Sequence, residues 1–79
     1  MILDQCHAPA FRGYAKPLEK LEKSLRKAGH PLRFRAFVAP RDLKMVEITY
    51  RDINERDIVC IEGDSPAQAV KEVAKVAGL

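Results

Sequence analysis

Cys6, His7, His30 and Cys60 are the residues of this chain best suited to hold a soft metal, and Cys6, Ser24 and Ser65 are its candidate nucleophiles. A structural zinc site draws on Cys-x₂₋₄-Cys or His-x₃₋₅-His spacing, and neither occurs. No metal and no other cofactor is expected. Cys60 alternates with Val59 and Ile61 and reads as a small core residue. Covalent catalysis needs a base beside its nucleophile and a group to orient the base. Cys6 adjoins His7 in sequence, but consecutive residues of an extended chain point apart. Ser24 stands among lysines, and Ser65 is occupied as a helix cap. Gly13, Gly29, Gly63 and Gly78 each stand alone, so there is no glycine-rich phosphate loop. Asp52, Glu55 and Asp57 are the closest approach to paired carboxylates, and they read as a solvated hairpin. The chain is expected to be no enzyme.

What remains is charge. The 79 residues carry a formal net charge of +3. Between Arg12 and Arg35 eight bases stand against two acids, a balance of +6, whereas Ala36 to Leu79 holds six bases and eight acids, a balance of −2. Such asymmetry points to an anionic partner, either nucleic acid or an acidic protein surface; its alternative is a solvated helix face. The residues expected to make that contact are Lys16, Lys20, Lys23, Arg26 and Lys27 on the first helix, and Arg33, Arg35 and Phe37 on the first strand. Arginines flanking an aromatic side chain on an open sheet suit single-stranded nucleic acid. Pairing of Arg33 or Arg35 with Glu47 on the neighbouring strand is the other use of the same residues.

The elements that position these residues begin with the clearest local signal, Ser65-Pro66-Ala67-Gln68. Ser65 is an N-cap, Pro66 takes the first helical position, and Gln68 has capping-box spacing. The last helix is expected over Ser65–Ala77, with Val70, Val73, Ala74 and Ala77 as its apolar stripe. The first helix is expected over Pro17–Ala28, with a stripe of Leu18, Leu21, Leu25 and Ala28. Glu19–Lys23 and Glu22–Arg26 form i,i+4 pairs on it, and Gly29 with Pro31 ends it. Between the helices, alternation predicts strands over Leu32–Val38 and Leu43–Arg51, and the nearly continuous apolar run Ile58-Val59-Cys60-Ile61 predicts one over Asp57–Glu62. Ala39-Pro40-Arg41-Asp42 is the first turn. The fold class is α+β: αβββα, a three-stranded antiparallel meander with two helices packed on one face. Residues 1–15 are expected as an extended N-terminal arm, partly packed through Ile2, Leu3, Phe11 and Tyr14, and residues 16–79 as one small domain. No apolar run approaches the roughly 20 residues that span a bilayer. The first residues have an acid, Asp4, where a signal peptide would carry positive charge. A cytoplasmic protein with reduced thiols is expected.

With that order of elements, residues Pro17 to Ala77 resemble the double-stranded RNA-binding-domain fold. Pro17-Leu18-Glu19-Lys20-Leu21 is similar to that family's first helix. Gly63-Asp64-Ser65, ahead of an alanine-rich helix, is similar to the start of its last. The resemblance implies the αβββα topology and RNA as a partner. In place of the family's basic cluster after the serine stands Pro66-Ala67-Gln68-Ala69-Val70, followed by Lys71 and Lys75. The topology is also similar to that of HicA-like messenger-RNA-cleaving toxins, through Leu25-Arg26-Lys27-Ala28-Gly29 and Ala77-Gly78-Leu79. Their glycine-serine-histidine motif is missing, and His30 precedes the first strand. The reading adopted is a small non-enzymatic module that binds nucleic acid through the basic first helix and adjacent strand. One alternative is a protein-interaction or inhibitor module, such as a phage or mobile-element accessory protein. The other is a toxin relative without the usual catalytic motif.

Overall fold

A computed structural model describes residues 1–3, 8–52, 54–61 and 65–78. In chain order its regular elements are β1 (Ile2–Leu3), α1 (Ala15–Lys27), β2 (Arg33–Ala39), β3 (Leu43–Thr49), β4 (Arg56–Cys60) and α2 (Pro66–Val76), with single 3₁₀ turns at Ala8–Phe11 and Pro40–Asp42. Cys6 and His7, weighed above as ligands and nucleophile, lie outside the described residues, as do Glu62, Gly63, Asp64 and Leu79.

The sheet corrects the expected topology. It has four strands in the order β1-β2-β3-β4 rather than three. The meander of β2, β3 and β4 is antiparallel as expected, in register Ala36↔Val46↔Val59. The additional strand, β1, pairs parallel with β2 through Ile2↔Arg35 and Leu3↔Ala36, so the sheet is mixed. A two-residue strand has no alternation to read, and a parallel neighbour is reached only through a crossover, here α1. The segment expected as an extended arm also supplies Phe11, which is fully buried in the core.

One face of the sheet is dry. Phe34, Ala36, Val46, Ile48, Val59 and Ile61 form a single apolar cluster with Leu18 and Leu25 of α1 and Ala69 and Val73 of α2. Both helices therefore pack on that one face. Their stripes differ in detail from expectation. Ala28 is exposed at the C-cap of α1. In α2 the buried positions are Ala69 and Val73, while Val70 and Ala74 are half-buried. Cys60, expected in the core, is exposed: Val59 and Ile61 take the inward positions of β4 and leave Ile58 and Cys60 outward.

The ends of the elements follow local chemistry. The Ser65 hydroxyl accepts the Gln68 backbone N–H at 3.2 Å, which forms the expected cap. At the end of α1 the His30 N–H donates to the Leu25 carbonyl at 2.9 Å and the Gly29 N–H to that of Arg26 at 3.1 Å. This is a Schellman motif, and its left-handed residue, Gly29 at φ 94°, turns the chain toward β2. The turn between β2 and β3 places Arg41 and Asp42 in the left-handed region, at φ 70° and 59°.

Glu22 departs most from its expected role as a surface partner of Arg26. It is 4% exposed. One carboxylate oxygen accepts the Phe34 backbone N–H at 2.5 Å, and the other accepts the Met1 ammonium at 2.8 Å. The side chain thereby ties α1 to β2 and to the strand beside it.

Candidate nucleic-acid interface

The basic residues of α1 divide by face. Leu18, Glu22 and Leu25 point into the core. Lys16, Lys20, Lys23, Arg26 and Lys27 are exposed and lie together along the outer side. With Glu19 as the one acid among them, these side chains form a strip of net positive charge. Arg26 and Lys27 also occupy the last turn of the helix, where its dipole favours cations.

Where α1 ends and β2 begins, the chain encloses an open groove of about 750 Å³. Arg26 enters it from the helix, Arg33 and Arg35 from β2, and Arg51 from the residues after β3; His30, Thr49, Tyr50 and Glu47 complete the polar part of its wall. Arg26 thus belongs to both the helix strip and the groove. The Gly29 turn places His30 and Pro31 at the junction. The four arginines are all exposed.

Of the eight expected contact residues, the helix and strand bring Arg26, Arg33 and Arg35 into this groove. Lys16, Lys20, Lys23 and Lys27 stand on the adjoining strip. Phe37 is outside both. The Arg35 guanidinium lies over its ring, 5.3 Å from the centroid, a cation–π contact. Arg35 stands opposite Glu47 in the strand register, but no ion pair joins them: Arg35 turns to Phe37, and Glu47 accepts the Thr49 hydroxyl at 3.5 Å. Arg51 points outward on the expected strand, on the same sheet face as Arg33 and Arg35, and the groove adds it to the expected contact residues. The expected antiparallel hairpin already sets this end of β3 beside the start of β2, as the Arg33↔Thr49 register shows.

The carboxylates near the other hairpin have structural work. Asp52 accepts the Asn54 N–H at 3.0 Å and its carbonyl accepts that of Glu55 at 2.8 Å, which closes the turn before β4. Asp57 accepts the Tyr50 hydroxyl at 2.8 Å, and the Val76 carbonyl lies 3.3 Å from the same oxygen. Burial, and then the bond to Asp57 and the charges of Asp57 and Glu55, push the Tyr50 hydroxyl up to about 12.

No family model matches the chain, and neither does any curated protein or solved structure. The groove and the helix strip are thus the features from which a function has to be argued.

Proposed function

We propose that this protein is a non-enzymatic module that binds nucleic acid through its phosphates. The single observation that carries the reading is the groove of about 750 Å³ with four arginines in its wall, continuous through Arg26 with the lysine strip of α1. Clustered guanidinium and ammonium groups suit a repeating anion, and fork-shaped arginine donors suit phosphate oxygens in particular. The contact engages Lys16, Lys20, Lys23, Lys27, Arg26, Arg33 and Arg51. Phe37 adds no stacking platform, because Arg35 already lies over its ring. The affinity is therefore electrostatic and little dependent on sequence. The likeness of residues 17–77 to the double-stranded RNA-binding domain supports RNA as the nucleic acid. The extra strand β1 is an addition to that pattern.

Binding of a labelled RNA by fluorescence anisotropy tests the proposal, first with the wild-type protein and then with Arg33→Glu/Arg51→Glu. Loss of binding in the variant, with an unchanged circular-dichroism spectrum, supports the groove as the contact. A wild-type protein that binds neither single-stranded nor duplex RNA at low salt would falsify it and leave the protein-interaction reading.

One observation favours a second reading, RNA cleavage. His30 and Glu47 line the same groove as the arginines, and an imidazole and a carboxylate are groups that move protons near neutral pH. Cleavage of RNA by the purified protein, abolished in His30→Ala, would replace the binding reading with this one.

A further inference from the structure

The face of the sheet turned away from the helices has no element packed over it among the described residues, and its side chains form a pattern. Across the middle of the sheet, one register row reads Ile2, Arg35, Glu47, Ile58 from β1 to β4. The next row reads Phe37, Met45, Cys60, and the row on the other side Arg33, Thr49, Arg56. Ile2 is 62% exposed and Ile58 56%, the two most exposed large apolar residues described. Cys60 is exposed as well, and Phe37 and Met45 are only half-buried.

The central row is chemically its own complement: apolar, cation, anion, apolar. We infer that this face is a homodimer interface, in which two copies stack sheet on sheet about a two-fold axis. The axis runs parallel to the strands and passes between β2 and β3. Such a rotation exchanges β1 with β4 and β2 with β3. Each Arg35 then faces the other copy's Glu47, and each Ile2 faces the other copy's Ile58. Phe37 faces Met45, an aromatic–sulfur pairing. Stacked sheets lie about 10 Å apart with strands within about 30° of parallel, which suits side chains of these lengths. A two-fold axis across the strands would instead set Arg35 against Arg35, so the charges select one arrangement. Arg35 and Glu47 form no ion pair with one another: Arg35 lies over the Phe37 ring, and Glu47 accepts the Thr49 hydroxyl. A closed, isologous contact of this kind needs the same patch to be self-complementary, and this row is.

The stack leaves the lysine strip of α1 free, because both helices lie on the opposite face of each sheet, but it covers Ile2, Arg33, Arg35, Glu47 and Thr49 of the groove wall, so dimerisation competes with nucleic acid for the groove. The stack carries two lysine strips outward on opposite sides of the dimer. It does not depend on the nucleic-acid reading.

Sedimentation equilibrium over a wide concentration range tests the inference on the full chain. The wild type is expected to dimerise. Arg35→Glu alone sets Glu against Glu across the interface, and Glu47→Arg alone sets Arg against Arg. Each should raise the dimer dissociation constant ~10-fold or more. An equimolar mixture of the two variants should form a heterodimer as tight as the wild type, because both interfacial pairs are then opposite in sign. The double variant R35E/E47R should dimerise alone and shows that both positions tolerate exchange. A wild type that stays monomeric, single variants that dimerise as well as the wild type, or a mixture no tighter than its components would each overturn the inference. Arg35→Glu abolishing RNA binding by a monomeric wild type would assign the face to nucleic acid instead.

Discussion

Glu22 is the side chain on which the fold leans most heavily for its size. Its two oxygens hold the Phe34 N–H and the Met1 ammonium inside the protein. Glu22→Ala leaves a buried N–H and a buried cation without a partner, and breaking a buried pair on one side costs about 3–5 kcal/mol. Urea unfolding should show that loss. Glu22→Gln, which keeps an acceptor for Phe34, should lose less. The sequence could not reveal this role. A glutamate four residues before Arg26 has a ready surface partner, and only the arrival of β1 and β2 beside α1 supplies a better one. Tyr50 carries a pH prediction. Its hydroxyl, usually near 10.0, is held up to about 12. The folded state thus binds this proton more tightly than the unfolded state. Its contribution to stability is complete below pH 10 and is lost as pH rises from about 10 through about 12. In Tyr14→Phe protein, where Tyr50 is the sole tyrosine, absorbance of the phenolate should appear near pH 12 and move toward 10 once the protein is unfolded. Titration near 10 in the folded protein would show that the hydroxyl is neither buried nor bonded to Asp57.

Element boundaries were legible where the signal is local. The cap of α2 rests on four consecutive residues, and Ser65→Ala should cost about 1 kcal/mol in thermal or urea unfolding. No measurable loss would mean that the cap contributes nothing. The strands β2 and β3 were legible from alternation, and β4 from its apolar run, to within two residues at each end. The β2–β3 turn was legible as a turn, but not in its backbone form. Arg41 at φ 70° has no glycine to accommodate the left-handed region. Arg41→Gly should raise stability by up to about 1 kcal/mol by relieving that conformation. A fall in stability would show that the Arg41 side chain contributes more than its backbone costs. The parallel strand was not legible, because Ile2 and Leu3 acquire their role only from β2, more than thirty residues away. Cys60 was misplaced for a related reason. An apolar run of Ile58, Val59, Cys60 and Ile61 fits a strand covered on both faces as well as one covered on a single face. Whether something covers the second face is the question the dimer experiment addresses.

For the molecule as a whole, the charge asymmetry was legible in the sequence, and the fold concentrates it. The +6 segment from Arg12 to Arg35 contains α1 and the first three residues of β2, and the turn at Gly29 joins their cations along one groove. No helix among the described residues is long and apolar enough to cross a membrane. The central claim is that the α1 strip and the arginine groove together grip a polyanion. The salt dependence of RNA affinity measures this most directly, compared between wild type, Lys20→Glu/Lys23→Glu/Lys27→Glu, and Lys71→Glu/Lys75→Glu. Each phosphate contact contributes roughly 0.7 to the log–log slope for a single strand or 0.9 for a duplex. The α1 variant should bind more weakly at every salt concentration and with a slope reduced by about the equivalent of two to three contacts, while the α2 variant keeps the wild-type slope. Equal loss of slope in both variants, or no loss in the α1 variant, would contradict the claim.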